Sequence, residues 1–551
     1  MTVKSACVYA ILVCTIFFEY EFAAAGTPAD AKSPGITADT LCEVDAKTHI
    51  RDIPRTLYGT NIEWFNNGNG IVDDIGVFRS DLAAAARDEG ISLVRFPGGT
   101  FSDYYHWEDG TGPLEKRPTT RHFTDPGASK NIMGSPEIAR FAKSIGGEPL
   151  ITVNAGTGTA QEAAKWVEYF NAPANARRQA DGLADPIKVH YWEVGNELYL
   201  PGNPGVIKVA VNPQVYAARF KEYAHAMKAI DPTIALIAIA NSNASRITLP
   251  YPEWLQTLLQ ADAPDIDYVA VHNAYFPVLF EAKQPEAKDV YRALWAAPEA
   301  IDRNLSQIEE TIGKYQGGKD IGIAVTEWGP LYAFKLDPTW LDRIKTMGSA
   351  VYVGRVLQVF VSHPKMRIAN YFKFTDSTPM GWVAFNGKPK APYYALQLFS
   401  RHFGTKLVKS TVSGGKTYDT PALGIMTEEK DVPEVTTVAA LNDKGNRLFV
   451  NLINRSWSEV HYVKLSIKGF TGVKGETDAW QLAAPAATDH NGPDLPPELL
   501  SRINETPLSA ELAGRPIALQ KIRLNAGKPI KLAPFSLLTV EIPLSAVSHR
   551  H

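Results

Sequence analysis

The stretch YWEVGNELYLPG, residues 191–202, closes an apolar run with an amide and a carboxylate. Tyr191, Trp192 and Val194 suit a buried strand; Gly195 breaks it, and Asn196 and Glu197 follow. A surface loop could hold such a pair at little cost. A catalytic site would set it at the open end of a sheet. Working outward, seven other runs share the plan: LYGTNIEW (57–64), ISLVRFPGG (91–99), EPLITVNAG (148–156), ALIAIANSN (235–243), DYVAVHNAY (267–275), IGIAVTEWG (321–329) and IANYFKF (368–374). Their centres read as apolar on both faces, as in parallel strands covered by helices.

Helical segments alternate with these runs. Ser135-Pro136-Glu137 predicts a helix start with Ser135 as cap, Ile138, Phe141 and Ile145 its apolar face and Gly146 its stop. Asn212-Pro213 opens another, with a stripe of Tyr216, Phe220, Tyr223, Met227 and Ile230 before Asp231-Pro232. Eight strand–helix units over residues 57–401 predict an α/β fold, a (β/α)8 TIM barrel. A doubly wound open sheet is the alternative, but no G-x-G-x-x-G follows the first strand. From residue 402 to 551 the pattern shifts to short-period alternation and turns, as in RLFVNLINRS and PFSLLTVEIPL. This predicts a C-terminal β-sandwich. Residues 26–56 look extended and are expected to join it.

Lys4, the apolar stretch ACVYAILVCTIFF and the small residues of FAAAG predict a secretory signal over residues 1–25. The expectation is a secreted or periplasmic protein with no membrane attachment once the signal is removed. Cys7 and Cys14 fall in that segment, leaving Cys42, so neither an intrachain disulfide nor a cysteine metal cluster is expected. A net charge of -3 gives no basic surface for nucleic acid. Sequons stand at Asn243, Asn304, Asn454 and Asn504 and matter only in a eukaryotic host.

Barrel enzymes build their sites at the C-terminal ends of the strands. Here those ends carry Asn61 and Glu63, Arg95 and Pro97-Gly98-Gly99, Asn154, Asn196 and Glu197, His272, Asn273 and Tyr275, then Glu327 and Trp328. Glu197 and Glu327, ending strands four and seven, face one mouth. Two such carboxylates can divide the labour of glycoside hydrolysis: one protonates the leaving oxygen, the other attacks the anomeric carbon or activates water. Trp107, Trp192, Trp328 and Tyr275 lie near strand ends, where rings can stack on sugars. Gly98 and Gly99 read as a close backbone approach. Lys373 and Asp376 read as a surface pair. His272 has no second His or Cys at ligand spacing, so no metal is expected.

The blocks VRFPGGTFSDYYHWEDGTGPLEKRP, LITVNAGTGTA, YWEVGNEL and AVTEW resemble glycoside hydrolase family 51, the α-L-arabinofuranosidases of the clan A barrels. The resemblance implies Glu197 as acid/base and Glu327 as nucleophile of a retaining, covalent mechanism without cofactor. It implies sugar contacts from Glu63 and Asn196, with Asn154, Thr100 and Trp328 also facing substrate. Tyr275 would hold the nucleophile, Arg95 would keep Glu327 charged, and His272 would position the acid/base. Thr100 stands where the family usually has Asn, LYLPGN replaces MDGPW, and Ala274 lengthens the step from Asn273 to Tyr275.

The reading is therefore a secreted, exo-acting α-L-arabinofuranosidase on side chains of plant oligo- or polysaccharides. An endo-β-1,4-glucanase, a β-xylosidase, a β-glucuronidase-like enzyme and a non-catalytic carbohydrate-binding protein are the alternatives. The sandwich would pack on the barrel or meet a partner subunit in a homo-oligomer.

Overall fold

A computed structural model describes residues 37–121, 128–200, 211–272, 285–330, 343–376, 380–468, 475–491 and 517–544. The signal segment, Asn273, Tyr275 and the sequon at Asn504 lie outside the described residues, as does the side chain of Asp376.

Eight strands close into a barrel: Gly59–Asn61, Leu93–Phe96, Glu148–Val153, Tyr191–Val194, Ala235–Ile239, Tyr268–Ala270, Gly322–Trp328 and Met366–Tyr371. Neighbours pair in parallel around the ring, the eighth strand returning to the first. The closed ring replaces the open-sheet alternative. Each strand is followed by a helix, from Ser80–Glu89 after the first to Ala391–His402 after the eighth.

Strand parity sorts the residues, since alternate side chains face one side. Leu93, Leu150, Ile237, Ala270, Ala324 and Ile368 form one small apolar cluster with Tyr191 and Tyr268 packed on it. Two residues further along, Arg95, Thr152 and Thr326 are buried and all donate to Glu193, buried among them. The strand centres are thus not apolar on both faces. A polar layer sits on an apolar floor, directly beneath the mouth.

The helix over Ser135–Ile145 starts one residue earlier than predicted: Gly134 is the cap, and its N–H donates to Glu137 Oε2 at 3.0 Å. Ser135 is free of that duty and accepts Trp166 Nε1 at 2.9 Å. In the helix Pro213–Ile230, Asn212 accepts the N–H of Val215. Its stripe is buried except for Ile230, which is exposed. Tyr216 on that stripe donates to the carbonyl of Val194 and accepts the N–H of Ile239. One hydroxyl so ties strands four and five together.

The remaining long strands make one nine-stranded sheet, in which Thr40–Asp52 pairs antiparallel with Lys406–Gly414 and parallel with His461–Lys468. Val463 and Leu532 near one end of the sheet share a core with Ala479 and Val540 near the other. The sheet therefore folds over on itself as a sandwich. Two sequons are closed to modification in the folded chain: Asn304 is buried, and Asn454 is fully enclosed with its amide donating to three carbonyls.

Candidate active site

Arg95, on strand two, organises the polar layer. Its Nε donates to Glu193 Oε2 at 2.6 Å, Nη1 to Asn61 Oδ1 at 3.0 Å and Glu327 Oε1 at 2.8 Å, and Nη2 to Asn196 Oδ1 at 2.8 Å. One guanidinium therefore links strands one, two, four and seven. A buried cation is tolerated only when so satisfied. Glu193 also accepts from Thr152 and Thr326, both at 2.7 Å. Burial works against its charge, but Arg95, with His272 and Thr152, outweighs burial and holds it down to about 2.

Glu197 leaves strand four through a left-handed turn. Gly195 has φ of 79° and Glu197 itself a φ of 46°. The second value is uncommon for a residue with a Cβ and marks a position held by its surroundings. His272 Nδ1 lies 3.0 Å from Glu197 Oε1. Burial disfavours a charged imidazole, yet Glu193 and Glu197 outweigh it and push His272 up to about 9.

Glu327 ends strand seven with its carboxylate part-exposed at the mouth. Burial pushes its pKa up; His272 and Arg95 pull it down, Glu197 adds to the rise, and the net direction is upward. Arg95 thus opposes the protonation of Glu327 without overcoming burial. Gly99 lies so close that a Cβ there would overlap Glu327 Oε1, and Gly98, at φ of 125°, packs where a Cβ would stand 2.9 Å from Glu63 Cγ.

A carboxylate oxygen of Glu197, one of Glu327 and a ring nitrogen of His272 lie within 4.8 Å of one another. Carboxyl groups about 5–5.5 Å apart serve retention, while about 6.5–9.5 Å leaves room for the water of an inverting enzyme. The spacing falls on the retaining side. The same three residues could geometrically surround a cation. His272, however, already turns Nδ1 to Glu197 Oε1 at 3.0 Å and has Nε2 3.8 Å from Glu193 Oε1, the placement of an imidazole set between two carboxylates.

Glu63 is buried at the end of strand one, where Lys373 Nζ donates to its Oε2 and Asn69 Nδ2 lies 3.4 Å from the same oxygen. Lys373 is therefore not a surface residue. It follows strand eight into the barrel mouth, next to the ring of Phe65. Asn154, expected to face substrate, is spent on its own loop: its Oδ1 accepts the N–H groups of Thr157 and Gly158, and its Nδ2 donates to Thr157 Oγ1. The tryptophans are core. Trp328 is wholly buried against Phe360 and Trp382, Trp192 packs on Trp166 and Phe170, and Trp107 stacks on Trp166. None offers a free ring face. Thr100 starts the turn after Gly99, half-buried. Tyr275 lies outside the described residues.

Three site residues were not picked out from sequence. Glu193 had a signal, a carboxylate inside an otherwise apolar strand. Tyr199, two residues past Glu197, is buried with no hydrogen bond to its hydroxyl among the described residues, and burial beside Glu197, Glu327 and Glu193 raises its pKa well above the usual. Asp103, in the turn Thr100–Tyr104, is wholly buried and accepts the N–H of Asn196 at 3.0 Å.

Comparison with known proteins gives a consistent picture. The family model for the alpha-L-arabinofuranosidase 1 domain matches residues 86–280. A curated protein of Bifidobacterium longum, an intracellular exo-alpha-(1->5)-L-arabinofuranosidase, is 25% identical over 82% of this chain and 85% of its own length. The protein of that name in Acetivibrio thermocellus is 26% identical over 77% and 87%. A probable alpha-L-arabinofuranosidase C of Aspergillus niger is 28% identical over 76% and 82%. Among solved structures, the α-L-arabinofuranosidase of Thermotoga maritima in complex with arabinose superposes with a TM-score of 0.74 at 23% identity, covering 92% of this chain and 100% of that one. The shared barrel and sandwich carry the fold, and the sequence matches carry the kinship: the chain is a glycoside hydrolase similar to α-L-arabinofuranosidases.

Proposed function

We propose that this hydrolase is an exo-acting α-L-arabinofuranosidase that removes arabinose side chains from plant polysaccharides by double displacement. Glu327 attacks the anomeric carbon while Glu197 gives its proton to the glycosidic oxygen. The C–O bond breaks, the alcohol leaves, and the sugar is held as an ester on Glu327. Glu197, now a carboxylate, takes a proton from water as the water oxygen attacks the same carbon and frees Glu327. Two inversions retain the configuration. The observation that carries this reading is the close approach of Glu197 and Glu327 across strands four and seven, with Arg95 on one and His272 on the other. Asn196 supports it: its Nδ2 is buried and has no partner among the described residues, so it is available to a sugar hydroxyl. The choice of sugar rests on the names of the relatives.

The test is a panel of aryl glycosides: α-L-arabinofuranoside, β-xyloside, β-glucuronide and β-glucoside. Release confined to the arabinofuranoside is the expected result; release only from another sugar overturns the substrate assignment. Export is part of the proposal and rests on the N-terminal apolar segment. Two relatives are named intracellular. Assay of culture fractions decides the point: activity confined to the cytoplasm contradicts export.

A further inference from the structure

The turn that presents Glu197 is unusual, with two left-handed residues among three, and something must hold it. The residue between them, Asn196, gives its N–H to Asp103 Oδ2 at 3.0 Å. Asp103 is wholly buried and is itself anchored from another side. Its backbone carbonyl accepts both the N–H and the hydroxyl of Thr157, each at 3.0 Å. Gly156 packs so tightly on it that an added Cβ would stand 2.6 Å from that carbonyl oxygen. Gly195 packs against the carboxyl, an added Cβ lying 3.4 Å from Oδ1. The loops after strands two, three and four therefore meet at this one residue.

We propose that Asp103 is a positioning residue for the acid/base, its carboxyl fixing the left-handed turn that aims Glu197 at the leaving-group oxygen. The inference rests on the assignment of Glu197 as acid/base. The charge of Asp103 is not what the turn needs. Burial pushes its carboxyl up to about 8, against the pull of the Asn196 and Ala155 N–H groups; Glu193 adds to the rise and Arg95 opposes it. In mildly acidic solution it is then neutral, an acceptor that adds no negative charge beside Glu197. An amide can do the same work.

The experiment compares the full-length protein with Asp103→Ala and Asp103→Asn on two aryl α-L-arabinofuranosides. One carries a leaving group that departs without protonation, such as 2,4-dinitrophenolate. The other, phenol, requires the proton. Asp103→Ala is expected to lower kcat/KM on the phenyl substrate at least tenfold more than on the dinitrophenyl substrate. Asp103→Asn is expected to restore most of the loss. An equal loss on both substrates, no loss, or failure of Asp103→Asn to rescue overturns the proposal. If Asp103→Ala does not fold, Asp103→Cys carries the same comparison, since sulfur is a weak acceptor. Glu197→Ala is the control. If it lacks the leaving-group split, the assignment of Glu197 fails rather than the role of Asp103.

Discussion

Arg95 and Glu193 meet inside the barrel with 2.6 Å between Nε and Oε2, both side chains wholly shielded from water. The pair is the base on which the catalytic carboxylates stand, because the same guanidinium reaches Glu327 and Asn196. Breaking such a pair leaves an uncompensated charge and costs about 3–5 kcal/mol. Arg95→Leu is expected to lower unfolding free energy by about that amount, read from urea denaturation at neutral pH. A loss under about 1 kcal/mol would contradict the role given to the pair.

The same pair sets an acid limit on stability. Glu193 is depressed to about 2 when folded. Its contribution is full above the ordinary glutamate value of about 4.3 and is lost as pH falls through the folded value. Wild-type stability should therefore fall between those two pH values, and Glu193→Gln should flatten that part of the curve. An unchanged slope in the variant would assign the acid loss to other groups.

Glu327 must be ionised to act, and burial raises its pKa. The acid limb of kcat/KM is expected above the ordinary carboxylate range. His272, itself pushed up to about 9, exerts the largest charge–charge pull lowering Glu327, and Arg95 adds a charge and a hydrogen bond. His272→Asn removes that positive charge, so the acid limb should move to higher pH. A pH–rate profile of the variant decides it, and a shift to lower pH would reverse the electrostatic account.

Gly99 touches Glu327 so closely that any side chain displaces the carboxylate. Gly99→Ala should leave the fold intact by circular dichroism and lower kcat about 100-fold, the scale of a 1 Å misplacement. Retained activity would mean that the nucleophile has room that this contact denies it.

The strand ends were legible in sequence because a polar residue closing an apolar run is rare and periodic. Asn61, Arg95, Asn196, Glu197, His272 and Glu327 were readable in this way, and the structure brings them together. The polar layer below was not. Thr152 and Thr326 look like ordinary strand formers, and only the closed ring tells which parity faces inward. Lys373 was misread because residues near a strand end have no sequence mark for curling into the mouth. The tryptophans were misread because proximity to a strand end does not say on which side a ring packs. Trp328 turns outward to Phe360 on the helix Met347–Ser362. Asp103 was invisible because its partner is a backbone N–H, which every residue but proline offers.

In the proposed mechanism Glu327 carries the sugar covalently while Glu197 supplies and recovers the proton. Proton NMR of the first sugar formed from an aryl α-L-arabinofuranoside tests it most directly. The expected initial product is α-L-arabinofuranose, with the β form appearing only by later mutarotation. Initial formation of the β form would show direct attack by water and would rule out the covalent step on Glu327.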